Sequence, residues 1–231
     1  MPHTQEPRAA TLHATAPVLL VLPGWDDDGK PQFDALNASL SDRGWRCRRA
    51  HLPDASWPAA ERAAQTRDDG LRSALKDYDD LVASTPGPPA AVALLGFSYG
   101  GYMATLLAGA RPVDWLVLRS PAIYPDADWA VPKEELDKRA LDDYRHRPLG
   151  PGDNDALRCC AAFRGHVLLV DSGCDAIIPA ALIQSYAQAF DQARSLTRHT
   201  LPGADHALSE PASQTAYHAR VVAWLAQRQG G

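Results

Sequence analysis

The chain has 231 residues, of which 45% are hydrophobic and 22% are charged, and its formal net charge is −5. This length and composition are typical of one folded domain and argue against a disordered chain or a coiled coil. The negative charge leaves no broad basic field to attract a phosphate backbone, so we expect no nucleic-acid partner. No apolar run approaches the roughly 18 residues that cross a bilayer, so we expect no membrane partner either.

The sequence has four cysteines and no CxxC or Cys/His zinc spacing. Four cysteines in a chain of this length do not make a disulfide framework, so we expect free thiols and a cytoplasmic protein without a bound metal. The first 16 residues lack the apolar segment of a signal peptide. Residues 1–17 are polar and predict an N-terminal arm, followed by one domain over 18–231.

Apolar runs that end at turn residues predict six strands, at Val18–Leu22, 45–52, 91–95, 113–118, 167–170 and 196–201. Spacings of three and four between apolar residues predict helices from Phe33 to a stop at Gly44 and over 59–83, 102–110, 133–144, 180–193 and 210–227. Gly70 is the candidate interruption of the second helix. The irregular section 121–164 occupies the position of a short lid.

Buried strands that alternate with helices predict an α/β fold, with a mostly parallel sheet of about six strands and helices on both faces. Functional residues in such sheets follow the carboxyl ends of the strands. We therefore weigh each candidate residue by whether it follows a predicted strand.

Ser98 is the candidate nucleophile. The segment Gly96-Phe97-Ser98-Tyr99-Gly100 fits G-x-S-x-G, with an apolar strand before it and a helix after it. Glycines two residues on either side of the serine let strand and helix pass closely on a sharp turn. The alternative interpretation is a glycine-rich packing turn with an incidental serine.

A serine nucleophile needs a general base, which is most often a histidine. His206 follows the predicted strand 196–201 and precedes the last helix, which is the position the architecture favours. His51 and His146 remain as rivals, and the alternative for His206 itself is an ordinary surface histidine.

The histidine in turn needs a carboxylate that orients it. The predicted strand 167–170 leads to two candidates, Asp171 at the strand end and Asp175 beyond the Ser172-Gly173 turn. We favour Asp175, because that turn can bring its side chain across toward the histidine loop, and keep Asp171 as the alternative.

The chain order Ser98, Asp175, His206 is that of α/β-hydrolases, and residues 18–225 resemble that superfamily. The segment 96–104, Gly-Phe-Ser-Tyr-Gly-Gly-Tyr-Met-Ala, is similar to the prolyl oligopeptidase family. Residues 175–179 and 203–206 are similar to that family and to small dienelactone-hydrolase-like enzymes. The resemblance implies Ser98 as nucleophile, Asp175 as orienting acid and His206 as base.

The chain also departs from these relatives. Dienelactone hydrolases carry a cysteine where this chain has Ser98, and Pro23-Gly24 stands where a His-Gly pair is common. The propeller domain of an oligopeptidase has no counterpart in the sequence. These departures leave the catalytic class intact and leave the substrate class open.

In this fold the oxyanion is bound by two backbone N–H groups, which map to Trp25 and Tyr99. The Trp25 indole either walls the acyl pocket or packs on the helix at Phe33. Asp26-Asp27-Asp28 either acts on charged substrates or forms a solvated turn ending at Gly29.

Further candidate pocket residues follow the predicted strand 113–118. Arg119 either binds a substrate carboxylate or forms a structural ion pair. The aromatic and aliphatic residues Ile123, Tyr124 and Trp129 either line the pocket or pack the lid on the sheet.

These residues predict a serine hydrolase that cleaves an ester of a small-molecule acyl substrate through an acyl-enzyme on Ser98, without a cofactor. The few aliphatic residues in 121–164 favour short acyl groups, from acetyl to about hexanoyl. A small peptidase or amidase and a thioesterase are the alternatives within the fold, and a non-catalytic binding protein is the alternative outside it. The sequence does not predict the oligomeric state.

Overall fold

The computed structural model describes residues 15–27 and 30–230. The predicted arm up to residue 14, together with Asp28 and Gly29, lies outside the described residues. Six strands pair in parallel in the order β2-β1-β3-β4-β5-β6, which confirms the predicted sheet. The strands are β1 Val18–Leu22, β2 Arg46–Arg49, β3 Val92–Phe97, β4 Trp115–Arg119, β5 His166–Ser172 and β6 Ser195–Leu201.

Eight helices accompany the sheet in the part of the chain that the structure describes. They are α1 Lys30–Ser41, α2 Ala59–Ala63, α3 Arg67–Ala83, α4 Tyr99–Ala110, α5 Lys138–Arg145, α6 Asp155–Ala162, α7 Ala180–Ala189 and α8 Pro211–Gln229, with one 3₁₀ turn at Lys133–Glu135. The helices α1 and α8 cover one face of the sheet, and α3, α4, α6 and α7 cover the other.

Strand β1 shows why the sheet is buried on both faces. Its alternate residues point to opposite sides, so Leu20 joins the core beneath α3 and α4 while Leu19 and Val21 join the core beneath α1 and α8. All five side chains are therefore apolar and fully buried, as the continuous hydrophobic run predicts. The edge strand β2 pairs with β1 alone and is shorter than the predicted 45–52.

The predicted helix 59–83 is two helices, and the predicted position of the break is wrong. The chain leaves α2 before Thr66, whose side chain accepts a hydrogen bond from the Asp69 N–H while Asp69 accepts one from the Thr66 N–H. This capping box starts α3. Gly70 lies inside α3, where a Cβ would come 2.2 Å from the Tyr99 hydroxyl oxygen, so its role is close packing on α4.

The section 121–164 contains more regular structure than the sequence indicates. The single predicted helix 133–144 is the 3₁₀ turn followed by α5, and α6 is an additional helix. Asn154 caps α6 by accepting from the Ala156 N–H, and the helix packs on α4, with Cys159 against Gly109. Its eight residues have too few apolar repeats to be recognised in the sequence.

None of the described helices is both long enough and apolar enough to span a membrane. The four cysteines are free, with Cys160 buried and Cys174 exposed.

Candidate active site

Ser98 sits on a sharp turn between β3 and α4, with φ 46° and ψ −111°. This left-handed backbone is strained for a residue with a side chain, at a cost on the order of 1–3 kcal/mol. The turn is as tight as the glycine pattern predicts. A Cβ on Gly96 would lie 2.5 Å from the Gly100 carbonyl oxygen, and one on Gly100 would lie 2.1 Å from the Leu22 carbonyl oxygen.

The structure brings Asp175 and His206 together. The Nδ1 atom of His206 lies 2.9 Å from Oδ2 of Asp175 and 3.1 Å from Oδ1. The Asp175 side chain is 5% exposed and that of His206 is 17% exposed. A carboxylate at Nδ1 holds the proton on that nitrogen, which leaves Nε2 as the basic atom.

The carboxylate of Asp175 is held in its ionised form. Burial by itself would raise its pKa, but the hydrogen bonds from His206 and from the Ile178 and Ile177 N–H groups lower the pKa to about 2. The Ile177-Ile178 segment that follows the acid is therefore part of its support.

The rival residues lie elsewhere. Asp171, at the end of β5, accepts a hydrogen bond from Thr200 Oγ1 at 3.0 Å on the neighbouring strand. His51 stacks on Trp57, with 4.5 Å between ring centroids, and His146 lies at the C-terminal end of α5 beside Asp142. None of the three contacts the Asp175–His206 pair.

Ser98 and His206 line one cavity of about 150 Å³ at the carboxyl end of the sheet. Among the predicted site residues, Trp25 and Arg119 line it as well. The full lining is Gly24, Trp25, Asp26, Asp27, Phe97, Ser98, Arg119, His206 and Ala207.

The two predicted oxyanion donors are unused within the described part of the chain. Neither the Trp25 N–H nor the Tyr99 N–H donates to an acceptor among the described residues. Tyr99 is the first residue of α4, where backbone N–H groups have no partner within the helix. The Trp25 ring packs edge-on against the Tyr99 ring at 5.1 Å between centroids, so the two segments are in contact.

The Trp25 indole packs under the 3₁₀ turn, not on Phe33. Lys133 Nζ lies 4.2 Å above its ring, and Trp25 Nε1 donates to Glu134 Oε1 at 3.2 Å. Burial lowers the pKa of Lys133 to about 8. The section 121–164 thus reaches the site at this turn.

The acidic segment after Trp25 is engaged by neighbours. Asp26 pairs with Arg62 at 2.8 Å and is exposed, and Asp27 Oδ2 accepts from the Gly24 N–H at 3.4 Å. Asp28 lies outside the described residues.

Three of the predicted pocket residues lie in the core, not in the cavity. Ile123 and Tyr124 are almost fully buried beneath the sheet, and Trp129 packs on it from the side. Tyr124 and Trp129 flank the guanidinium of Arg67, at 5.6 and 5.2 Å from their ring centroids. Of the two alternatives given for these residues, packing against the core is the one that describes their position, because the chain turns into the core under α4 after β4 ends.

Arg119 is buried, lines the cavity and forms no ion pair with a carboxylate of the described residues. Its guanidinium donates to the backbone carbonyl of His206 and, at 3.4 Å, to Ser172 Oγ. It lies 5.4 Å from the Phe97 ring centroid. The sequence analysis considered only carboxylate partners for Arg119, whereas the acceptors in the structure are a backbone carbonyl and a hydroxyl.

Phe97 is a site residue that the sequence analysis missed. It lines the catalytic cavity and also a second, more apolar pocket of about 220 Å³ between α1 and α8. Phe97 is therefore shared by the linings of the two spaces.

In the stretches 15–27 and 30–230, no three His, Cys, Asp or Glu side chains are arranged to hold a metal ion.

Comparisons with known proteins agree on the fold. No family model matches the sequence, and no curated protein matches it. Among solved structures, one described with LipS and LipT, two metagenome-derived lipolytic enzymes, has a TM-score of 0.68 at 13% identity, covering 93% of this chain and 95% of that chain. Est1E from Butyrivibrio proteoclasticus has a TM-score of 0.65 at 15% identity and covers 96% and 92%. A putative dienelactone hydrolase from Klebsiella pneumoniae has a TM-score of 0.64 at 18% identity and covers 93% and 88%. The chain thus has the α/β-hydrolase fold.

Proposed function

We propose that this α/β-hydrolase-fold chain is a serine hydrolase that cleaves esters of short acyl groups. The observation that carries the proposal is the Asp175–His206 hydrogen bond at the edge of the cavity that also holds Ser98 on its strained turn. Each of the three residues follows its own strand at the same end of the sheet.

The residues divide the reaction as follows. His206 Nε2 takes the proton from Ser98 Oγ, which attacks the carbonyl carbon of the ester. Asp175 keeps the proton on Nδ1 and stabilises the imidazolium that forms. The N–H groups of Trp25 and Tyr99 stabilise the negative charge on the substrate oxygen.

The imidazolium then gives its proton to the departing alcohol, and an acyl-enzyme remains on Ser98. Water, deprotonated by His206, attacks the acyl carbon, releases the carboxylic acid and returns the serine. The Ser98 turn favours this role, because its backbone is strained in a way that a binding protein does not require.

The small volume of the cavity, about 150 Å³, favours short acyl groups. Phe97 lines both this cavity and the second pocket, so we infer that its side chain is the wall that closes the cavity toward α1 and α8. The similar structure described with two lipolytic enzymes supports ester cleavage, and a substrate panel decides among ester, amide and thioester.

The decisive experiment combines covalent labelling with a substrate panel. A fluorophosphonate probe should label the wild-type protein and fail to label Ser98→Ala, and turnover of p-nitrophenyl acetate should be lost in the same variant. Undiminished labelling of Ser98→Ala would refute the assignment, and absence of labelling in the wild type would favour a non-catalytic binding protein. If aminoacyl p-nitroanilides or acyl-CoA are turned over faster than p-nitrophenyl acetate, the substrate class is an amide or a thioester and not an ester.

A further inference from the structure

Arg119 is hydrogen-bonded to both the candidate nucleophile, Ser98, and the candidate base, His206. Its backbone carbonyl accepts the Ser98 N–H at 3.0 Å, and its guanidinium donates to the backbone carbonyl of His206. One residue, at the last position of β4, therefore touches the nucleophile through its main chain and the base through its side chain.

The position of Arg119 is itself fixed by the sheet. It stands opposite Phe97 in the parallel register of β3 and β4, and its guanidinium lies over the Phe97 ring. The Ser172 hydroxyl at the end of β5 accepts its second hydrogen bond at 3.4 Å. The guanidinium thus spans the carboxyl ends of three strands and has little freedom to move.

The carbonyl of His206 accepts no other hydrogen bond from the described residues. The loop that carries His206 is otherwise tied to the acid loop, where the Cys174 N–H donates to the Ala204 carbonyl at 2.8 Å and the Gly173 N–H to the Leu201 carbonyl at 2.9 Å. Those bonds place the base relative to Asp175. The Arg119 guanidinium is a direct link from the His206 carbonyl to β4, whose last carbonyl accepts the Ser98 N–H.

We propose that Arg119 is a positioning residue, which sets the distance between His206 and Ser98 by holding the His206 carbonyl to the end of β4. The inference rests on the proposed function and adds to it a residue that does not touch the substrate's reacting atoms. A hydrogen bond from a charged donor is stronger than one between neutral groups, which suits a fixed link of this kind.

The chain offers a matched control. Arg228 on α8 also donates to a backbone carbonyl, that of Trp224 at 3.1 Å, and to a serine hydroxyl, that of Ser195 at 3.4 Å. It likewise lies over an aromatic ring, 3.6 Å from the Trp224 centroid. Arg228→Met therefore removes the same set of contacts as Arg119→Met at a place outside the catalytic cavity.

The test compares Arg119→Met, Arg119→Lys and Arg228→Met with the wild type on p-nitrophenyl acetate, a neutral ester. Because a misplacement of about 1 Å can cost about 100-fold, we expect Arg119→Met to lower kcat by about that factor. KM should stay within about threefold, since a neutral ester offers no carboxylate for the Arg119 guanidinium to bind. The rate of labelling by a fluorophosphonate should fall in parallel with kcat. The kcat of Arg119→Lys, which keeps a charged donor, should lie between those of the wild type and Arg119→Met. Arg228→Met should keep the wild-type kcat.

Three results would overturn the inference: a wild-type kcat in Arg119→Met, an equal loss of kcat in Arg228→Met, or a raised KM at unchanged kcat, which would indicate substrate binding. If Arg119→Met does not fold, Arg119→Lys is the deciding variant: a lowered kcat at unchanged KM supports the inference, and a raised KM at unchanged kcat contradicts it. If the fluorophosphonate labels the wild type and Arg119→Met at the same rate, this inference fails and the proposed function stands. If the wild type is neither labelled nor turns over the ester, the proposed function fails as well.

Discussion

Asp175 and His206 are 31 residues apart in the sequence, yet Oδ2 of the one lies 2.9 Å from Nδ1 of the other. The contact is made possible by two loops that leave neighbouring strands, β5 and β6, at the same end of the sheet. It distinguishes the two candidate acids, because Asp171 is engaged with Thr200 on β6 and does not contact His206.

The two aspartates should therefore respond differently to the same change. Asp175→Asn should lower kcat by about 10⁴-fold, because an amide at Nδ1 favours the wrong tautomer of His206. Asp171→Asn should leave kcat close to the wild-type value, since its carboxylate contacts only the Thr200 hydroxyl among the described side chains. Steady-state kinetics with p-nitrophenyl acetate checks both variants, and a reversed order would move the orienting role to Asp171.

The lowered pKa of Asp175 should appear in the pH dependence of stability. The folded-state pKa of about 2 lies below the ordinary value of 3.8, so the ionised carboxylate is favoured by folding. This stabilisation, about 2 kcal/mol, is fully present above the unfolded-state pKa and is lost as the pH falls through the folded-state pKa.

Urea unfolding of the wild type and of Asp175→Asn from about pH 5 down to about pH 2 measures this effect, over the interval set by the two pKa values. The difference in unfolding free energy between the two proteins should shrink steadily on acidification. If the unfolding free energies of the two proteins change in parallel over that pH interval, the three hydrogen bonds do not favour the ionised carboxylate in the folded state.

The backbone strain at Ser98 predicts an unusual pair of variants. Ser98→Gly and Ser98→Ala should both be inactive, but Ser98→Gly should have the higher unfolding free energy, by about 1 kcal/mol, because glycine tolerates φ 46°. Chemical denaturation of the two proteins gives the comparison. A Ser98→Gly variant that is less stable than Ser98→Ala would argue against a strained turn.

The wall formed by Phe97 predicts the acyl-chain preference. In the wild type, kcat/KM for p-nitrophenyl esters should be highest from acetate to about hexanoate, because each further methylene contributes its roughly 0.8 kcal/mol only where it can be buried. Phe97→Ala should shift the maximum toward octanoate by opening the cavity into the pocket between α1 and α8.

Leu36→Ala is the control for this shift, because Leu36 lines the second pocket but not the catalytic cavity. It should enlarge the pocket without changing the wild-type preference. Rising efficiency through palmitate in the wild type would show that the acyl group leaves the cavity by another route.

Some features of the protein follow from local sequence alone. The run Val18–Leu22 predicts its strand to the residue, because five consecutive apolar residues are stable as a strand only when both faces are covered. The glycines around Ser98 predict the tight turn in the same way, since no side chain fits between β3, α4 and the end of β1. The alternation of such strands with helices then predicts the parallel sheet and the end at which functional residues gather.

Other features depend on residues that are distant in the sequence and were decided only by tertiary packing. Gly70 lies inside α3 and not at the helix break, because it packs against Tyr99 on another helix. Tyr124 and Trp129 turn into the core, where they flank the buried Arg67, although their chemistry would suit a pocket. The same holds for Arg119, whose donors reach a backbone carbonyl. Every residue has the same backbone carbonyl, so the sequence does not identify which carbonyl accepts the hydrogen bond from a buried guanidinium. That acceptor is set only when the loops are placed in three dimensions.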